Sequence, residues 1–170
     1  MRDRTATTAC GWSSRALTQA TERAFGVLRQ ACEALITDLP EEKNEPAGLN
    51  LLANLCFNEV NAESQERLGK EIKVRTQVDA GSHGIPDVLI ESNKLLAIIE
   101  VKVGAGLGEN QLTEYREYLN EKKGDGEGRL ILLEREKTRD SDLDLDNHCS
   151  WFEVGDWLRK DESVKDQAAK

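Results

Sequence analysis

The sequence predicts an α/β domain built on a mixed central β-sheet of four to five strands flanked by α-helices. Three observations lead there. The apolar spacing changes from three-or-four to two near residue 70. Three strand-like segments then run in succession, and the third, KLLAIIEVKV, is apolar almost throughout, as a central strand covered on both faces should be. An amphipathic segment and a further apolar strand follow, the order of a crossover helix that returns the chain to its own sheet.

The elements follow in order. Residues 13–39 read as an amphipathic helix, with Leu17, Ala20, Ala24, Leu28, Ala31, Leu35 and Leu39 on one stripe, Ser13 or Ser14 as cap and Pro40 as stop. PEEKNEPAG is a polar loop. A second helix is expected over 47–68, with Leu49, Leu52, Ala53, Cys56, Phe57 and Val60 inward and Gly69 as its stop. In EIKVRTQV, Ile72, Val74, Thr76 and Val78 alternate with polar residues, a half-buried strand. DAGSHG is a turn, IPDVLIES a second strand, SNK a tight turn and KLLAIIEVKV the third strand. GAGLGEN is a loop, QLTEYREYLNEKK a helix, GDGEG a turn and RLILLERE the fourth strand. TRDSDLDLDN is an acidic loop, CSWFEV a short final strand and GDWLRK a helical turn. The tail 161–170 lacks apolar anchors and should fray, leaving one domain over 1–160.

Composition narrows the function. With 38% hydrophobic and 32% charged residues, the chain belongs with water-soluble globular proteins. No apolar run approaches the ~20 residues of a membrane span. The opening MRDRTATTACGW lacks the apolar core of a signal peptide, so a cytoplasmic location and no membrane partner are expected. The net charge of −9 argues against a broad nucleic-acid-coating surface, although residues 1–30 carry five basic and two acidic side chains. Cys10, Cys32, Cys56 and Cys149 stand apart, with no spacing suited to zinc or to a disulfide framework, and read as single buried thiols.

One constellation breaks the core pattern. Asp87 follows Pro86 at the head of the second strand, and Glu100 and Lys102 end the apolar third. A hairpin turning near 92–94 brings Asp87 to Glu100 on strands about 4.8 Å apart. Period 2 puts Glu100 and Lys102 on one face. Two carboxylates so close repel unless a cation lies between them. Mg²⁺ or Mn²⁺ suits such oxygen ligands, the Val101 carbonyl could add a third, and Lys102 would stand beside a bound phosphate. These are the parts of phosphodiester hydrolysis. The plainer reading of Glu100 and Lys102, an exposed ion pair, leaves Asp87 unexplained.

Pro86 and Asp87, followed by Glu100, Val101 and Lys102, resemble the signature of the PD-(D/E)XK nuclease superfamily. Gln111 and Tyr115, at i and i+4 on the next helix, extend the resemblance, as does WFEVGDW with Trp157. The resemblance covers about 47–158 and implies a restriction-endonuclease-like fold. It also implies a metal-dependent nuclease, expected to be a DNA endonuclease with RNA left open. In it Asp87, Glu100 and Val101 hold the metal, and Lys102 and Gln111 complete the catalytic set. One feature departs. The glutamate that many members carry before the first strand falls at Asn50, with Glu45 or Glu59 as possible substitutes. Tyr115 and His83 are further accessory candidates. His83, in the turn before PD, is a phosphate contact or proton carrier on this reading and a solvent-facing histidine on the plainer one. Lys70, Lys73 and Arg75 are candidate nucleic-acid contacts, or simply a solvated strand face. A homodimer is expected if both strands of a duplex are cut. The alternative is a non-enzymatic protein- or nucleic-acid-interaction module that keeps the fold.

Two other motifs are weaker. Gly104, Gly106 and Gly108 follow a strand, but their spacing fails the dinucleotide pattern, and Glu109 and Glu114 would repel a pyrophosphate. Asp142, Asp144, Asp146, Ser150 and Glu153 fit a calcium loop in spacing, yet Asn147 replaces its glycine and the flanks read as strands.

Overall fold

The computed structural model describes residues 45–102, 107–108, 110–137 and 143–160, with side chains from 48 onward. The expected helix 13–39, the tail 161–170 and much of the glycine-rich loop lie outside the described residues.

Helix α1 (Glu45–Phe57) buries Leu51, Leu52, Ala53, Leu55 and Cys56. The single helix expected over 47–68 is in fact two. Asn58 adopts a left-handed φ of 56°, which asparagine tolerates better than most residues. Asn61 then caps α2 (Ala62–Leu68): its side chain accepts from Ser64 N–H at 2.8 Å, and Ser64 Oγ accepts from Asn61 N–H at 3.0 Å. Val60, placed on the apolar stripe by spacing alone, is exposed in the connection. Gly69 ends α2 at φ 81°, where a Cβ would lie 2.5 Å from Asn93 Oδ1.

Five strands form one sheet in the order β1-β2-β3-β4-β5. They are β1 (Lys73–Thr76), β2 (Val88–Glu91), β3 (Leu95–Lys102), β4 (Glu127–Glu134) and β5 (Asn147–Ser150). β2 runs antiparallel to both β1 and β3, and β3, β4 and β5 are parallel, so the sheet is mixed as expected. Helix α3 (Gln111–Lys122) makes the crossover from β3 to β4. β1 is shorter than its alternation suggested, because Glu71 and Gln77 take φ of 55° and 52° at its two ends. The bend at Gln77 also moves Val78 to the face opposite Val74, and Thr76 is exposed.

The last element differs from expectation. WFEV is not strand but the start of helix α4 (Trp151–Lys160). Ser150 Oγ accepts from Glu153 N–H at 3.2 Å, and Glu153 Oε2 accepts from Ser150 N–H at 2.8 Å. This reciprocal cap starts a helix where strand propensity alone favours continuing β5.

The sheet separates two apolar layers. On one face Val74, Val88, Ile90, Leu95, Ala97, Ile99, Ile131 and Leu133 pack with α1, Leu68 of α2, and Trp151 and Val154 of α4. On the other, Leu89, Leu96, Ile98 and Leu130 pack under Tyr115 and Leu119 of α3. Cys56 and Cys149 are buried free thiols, pushed up to about 12 and about 11 by burial, which keeps them protonated and inert. Among the described residues no helix is long and apolar enough to cross a membrane.

Candidate active site

The hairpin register builds the site. Val88 pairs with Ile99, and the same register carried one step further sets Asp87 opposite Glu100. A second step sets Pro86 opposite Val101. Proline has no N–H, so it cannot donate to the Val101 carbonyl as the ladder requires. The Val101 N–H is taken by the Asp87 side chain instead, with Oδ2 accepting at 2.9 Å. The other oxygen, Oδ1, accepts from Gln77 Nε2 at 2.7 Å. Within β3, Glu100 and Lys102 share the α3 face with Leu96 and Ile98, because alternate strand residues point the same way.

Glu100 is 3% exposed. Its Oε1 receives both Lys102 Nζ and Gln111 Nε2, each at 2.7 Å. Its Oε2 is buried with no hydrogen-bond partner. A carboxylate oxygen left in that state costs several kcal/mol, and natural structures rarely tolerate it without a reason. A cation placed between Glu100 and Asp87 supplies one. The donor set is small: among the described residues no three His, Cys, Asp or Glu side chains already form a cluster. Two carboxylates with a backbone carbonyl suit an ion that keeps water and phosphate oxygens for its remaining positions.

Helix α3 starts at Gln111 and reaches the site from above. The Gln111 amide nitrogen donates to Glu100 and to the Tyr115 hydroxyl, the latter at 3.1 Å, while its oxygen accepts from Gly108 N–H at 3.3 Å. These partners fix which end of the amide faces the carboxylate. Burial pushes the Tyr115 phenol up to about 12; the Gln111 hydrogen bond pulls the other way, and the Glu100 charge adds to the rise. The phenol therefore stays protonated. Gly84, at φ 91°, lets the chain enter Ile85-Pro86-Asp87 close under Tyr115, whose ring edge lies 3.6 Å from where a Cβ would be.

The structure thus brings Asp87, Glu100, Lys102, Gln111 and Tyr115 together. It does not bring in the accessory candidates of the first helices. α1 covers the opposite face of the sheet, where Asn50 Oδ1 accepts from Gln65 Nε2 at 2.7 Å. Glu59 is exposed and accepts from Asn61 Nδ2 at 3.1 Å. The Glu45 side chain lies outside the described residues. His83 sits in a short 3₁₀ turn (Gly81–His83) and turns toward Tyr118 and Glu121, with Nε2 3.5 Å from Glu121 Oε2. Glu121 is ten residues beyond Gln111, about 15 Å along the helix axis, so His83 addresses the far end of α3. Lys73 and Arg75 are exposed on the α3 side of the sheet, opposite in direction to the buried Val74, and Arg75 pairs with Glu91. Lys70 is exposed and precedes the strand. The acidic loop is committed elsewhere: Asp144 and Asp146 pair with Arg116 of α3, and Asp146 also with Arg129 of β4. Gln77, which steadies Asp87, was hidden in the sequence because it reads as one more polar residue of an alternating strand.

A model of the PD-(D/E)XK nuclease superfamily matches residues 26–168. Members generally use divalent metal ions, and the mixed five-stranded sheet with flanking helices is the restriction-endonuclease-like architecture. No curated protein and no solved structure matches the chain.

Proposed function

The chain belongs to the PD-(D/E)XK nuclease superfamily, and from that premise we propose that it is a Mg²⁺- or Mn²⁺-dependent DNA endonuclease. The observation that carries this reading is the buried, unpartnered Oε2 of Glu100 beside Asp87, with Lys102 held 2.7 Å from the other oxygen. Asp87, Glu100 and the Val101 carbonyl would hold the ion. When bound, it supplies Lewis-acid polarisation of the phosphate and balances the two carboxylates.

The chain's own side chains do the rest. Lys102 places positive charge where negative charge grows on the phosphate oxygens, and it costs no reorganisation because Glu100 already orients it. Gln111 locks the Glu100 carboxylate, and the protonated Tyr115 locks Gln111. Lys73 and Arg75, on the same side of the sheet, would hold the backbone of the nucleic acid without reading its sequence. Cutting both strands of a duplex takes two such sites, so a homodimer is the working form we expect.

The test is cleavage of single-stranded, duplex and branched DNA, and of RNA, with Mg²⁺ or Mn²⁺, beside Lys102→Ala with its folding verified by circular dichroism. Metal-dependent cutting that the variant loses supports the reading. A folded parent that cuts none of these shifts the assignment to an interaction module.

A further inference from the structure

On β3 and β4 the face of the sheet under α3 is apolar except at one end. There a polar row crosses all five strands: Gln77 after β1, Asp87 before β2, Glu100 and Lys102 on β3, Glu134 on β4 and His148 on β5. The register fixes the last two. Lys102 pairs with Glu134, and Leu132 pairs with His148. Leu130 belongs to the α3-side layer, so Glu134, four residues on, shares its face. Cys149 packs in the opposite layer, so its neighbour His148 faces α3. At about 4.8 Å per strand, the row is about 19 Å long and His148 lies about 10 Å laterally from β3.

Glu134 and His148 are not loose surface groups. Their side chains are 13% and 19% exposed, and His148 Nε2 lies 2.8 Å from Glu134 Oε2. That bond sets the ring and leaves Nδ1, which makes no hydrogen bond among the described residues. Holding one imidazole nitrogen with a carboxylate orients the other toward a partner. A stabilising role alone is a poor account of the pair, because apolar side chains would fill these positions at lower desolvation cost.

We propose that His148, as an imidazolium whose Nε2–H donates to Glu134 and whose Nδ1–H is left to donate, binds a backbone phosphate of the substrate strand beyond the scissile one, so that the nucleic acid runs along the row from β2 toward β5. This rests on the nuclease reading above. The class of ligand is a nucleic-acid phosphodiester outside the reacting group, and the two residues add binding energy only for substrates long enough to reach them.

The experiment compares kcat/KM on a ten-nucleotide and a two-nucleotide DNA for the parent, His148→Ala, Glu134→Ala and Glu134→Gln, with thermal unfolding run on each. The parent should favour the longer substrate. His148→Ala should reduce that preference about tenfold, the loss of one hydrogen bond to a charged group. Glu134→Ala should do the same, and Glu134→Gln, which keeps an acceptor for the ring, should retain most of it. Equal losses on both lengths, or no loss on either, would overturn the proposal while leaving the nuclease reading intact. A parent that cuts neither length, nor duplex DNA, branched DNA or RNA, with any metal, overturns both.

Discussion

Asp87 Oδ2 accepts a 2.9 Å hydrogen bond from the Val101 backbone N–H, which a continued ladder would have sent to the Pro86 carbonyl. One carboxylate therefore serves both the fold and the site. Its two duties separate by substitution. Asp87→Asn keeps an acceptor oxygen for Val101 and should unfold within about 1 kcal/mol of the parent. Asp87→Ala leaves the N–H unpaired and should cost about 1–3 kcal/mol. Both should lose cleavage. Denaturant melts beside cleavage assays check this, and equal stability of the two variants would refute the structural duty.

Glu100 predicts a link between metal and stability. An ion that fills the unpartnered side of its carboxylate binds the folded chain and not the unfolded one. At a hundred times its dissociation constant it adds about 2.7 kcal/mol, or about 5–10 °C in the unfolding midpoint of a chain this size. Mn²⁺ and Mg²⁺ should give that shift in the parent, and EDTA should remove it. Glu100→Gln should lose most of it. An undiminished shift in the variant would place the ion elsewhere.

Tyr115 predicts an alkaline limit. Its folded pKa is raised from 10.0 to about 12, chiefly by burial. The folded state therefore holds the proton longer than the unfolded one, and the stability tied to it is complete below pH 10. It falls away as pH rises from 10 through 12. Tyr115→Phe should flatten this part of the stability curve relative to the parent, followed by denaturant melts at each pH.

Glu127 predicts the acid side. Hydrogen bonds from Arg67 hold its carboxyl down to about 2, with further help from Arg129. Both Arg67 contacts are 2.9 Å, and the guanidinium lies 4.1 Å over the Phe57 ring. Here the folded pKa is depressed, so the contribution is present above pH 4.5 and is lost as pH falls toward 2. Glu127→Gln should remove that slope, and raised salt should weaken it in the parent because the pair is partly exposed. A variant with the parent's acid profile would refute it.

Much of this was legible in the sequence because it rests on short-range pattern. The succession of the first three strands along the chain needs only the change of apolar period and the run KLLAIIEVK. The meeting of Asp87 with Glu100 needs only the turn position and counting. The i, i+4 pair of Gln111 and Tyr115 follows from helix geometry. What was hidden depends on caps and on contacts between distant segments. Asn58 and Asn61 split a helix that its apolar stripe made continuous. The Ser150–Glu153 cap was present in the sequence as S-W-F-E, but the aromatic and β-branched residues around it suggested strand. Glu134 and His148 carry no signal at all until the parallel register sets β4 and β5 beside Lys102.

Pro86 gives the site a trade-off. Any residue with an N–H at this position could close the hairpin one pair further and cap the Val101 carbonyl. That carbonyl, which we propose as an ion ligand, would then share its oxygen with the ladder, with every acidic and basic side chain still in place. A more regular sheet and the proposed ion site thus make opposite demands on a single residue. The open end of the hairpin is an unfinished piece of secondary structure, kept so by the one side chain that cannot finish it.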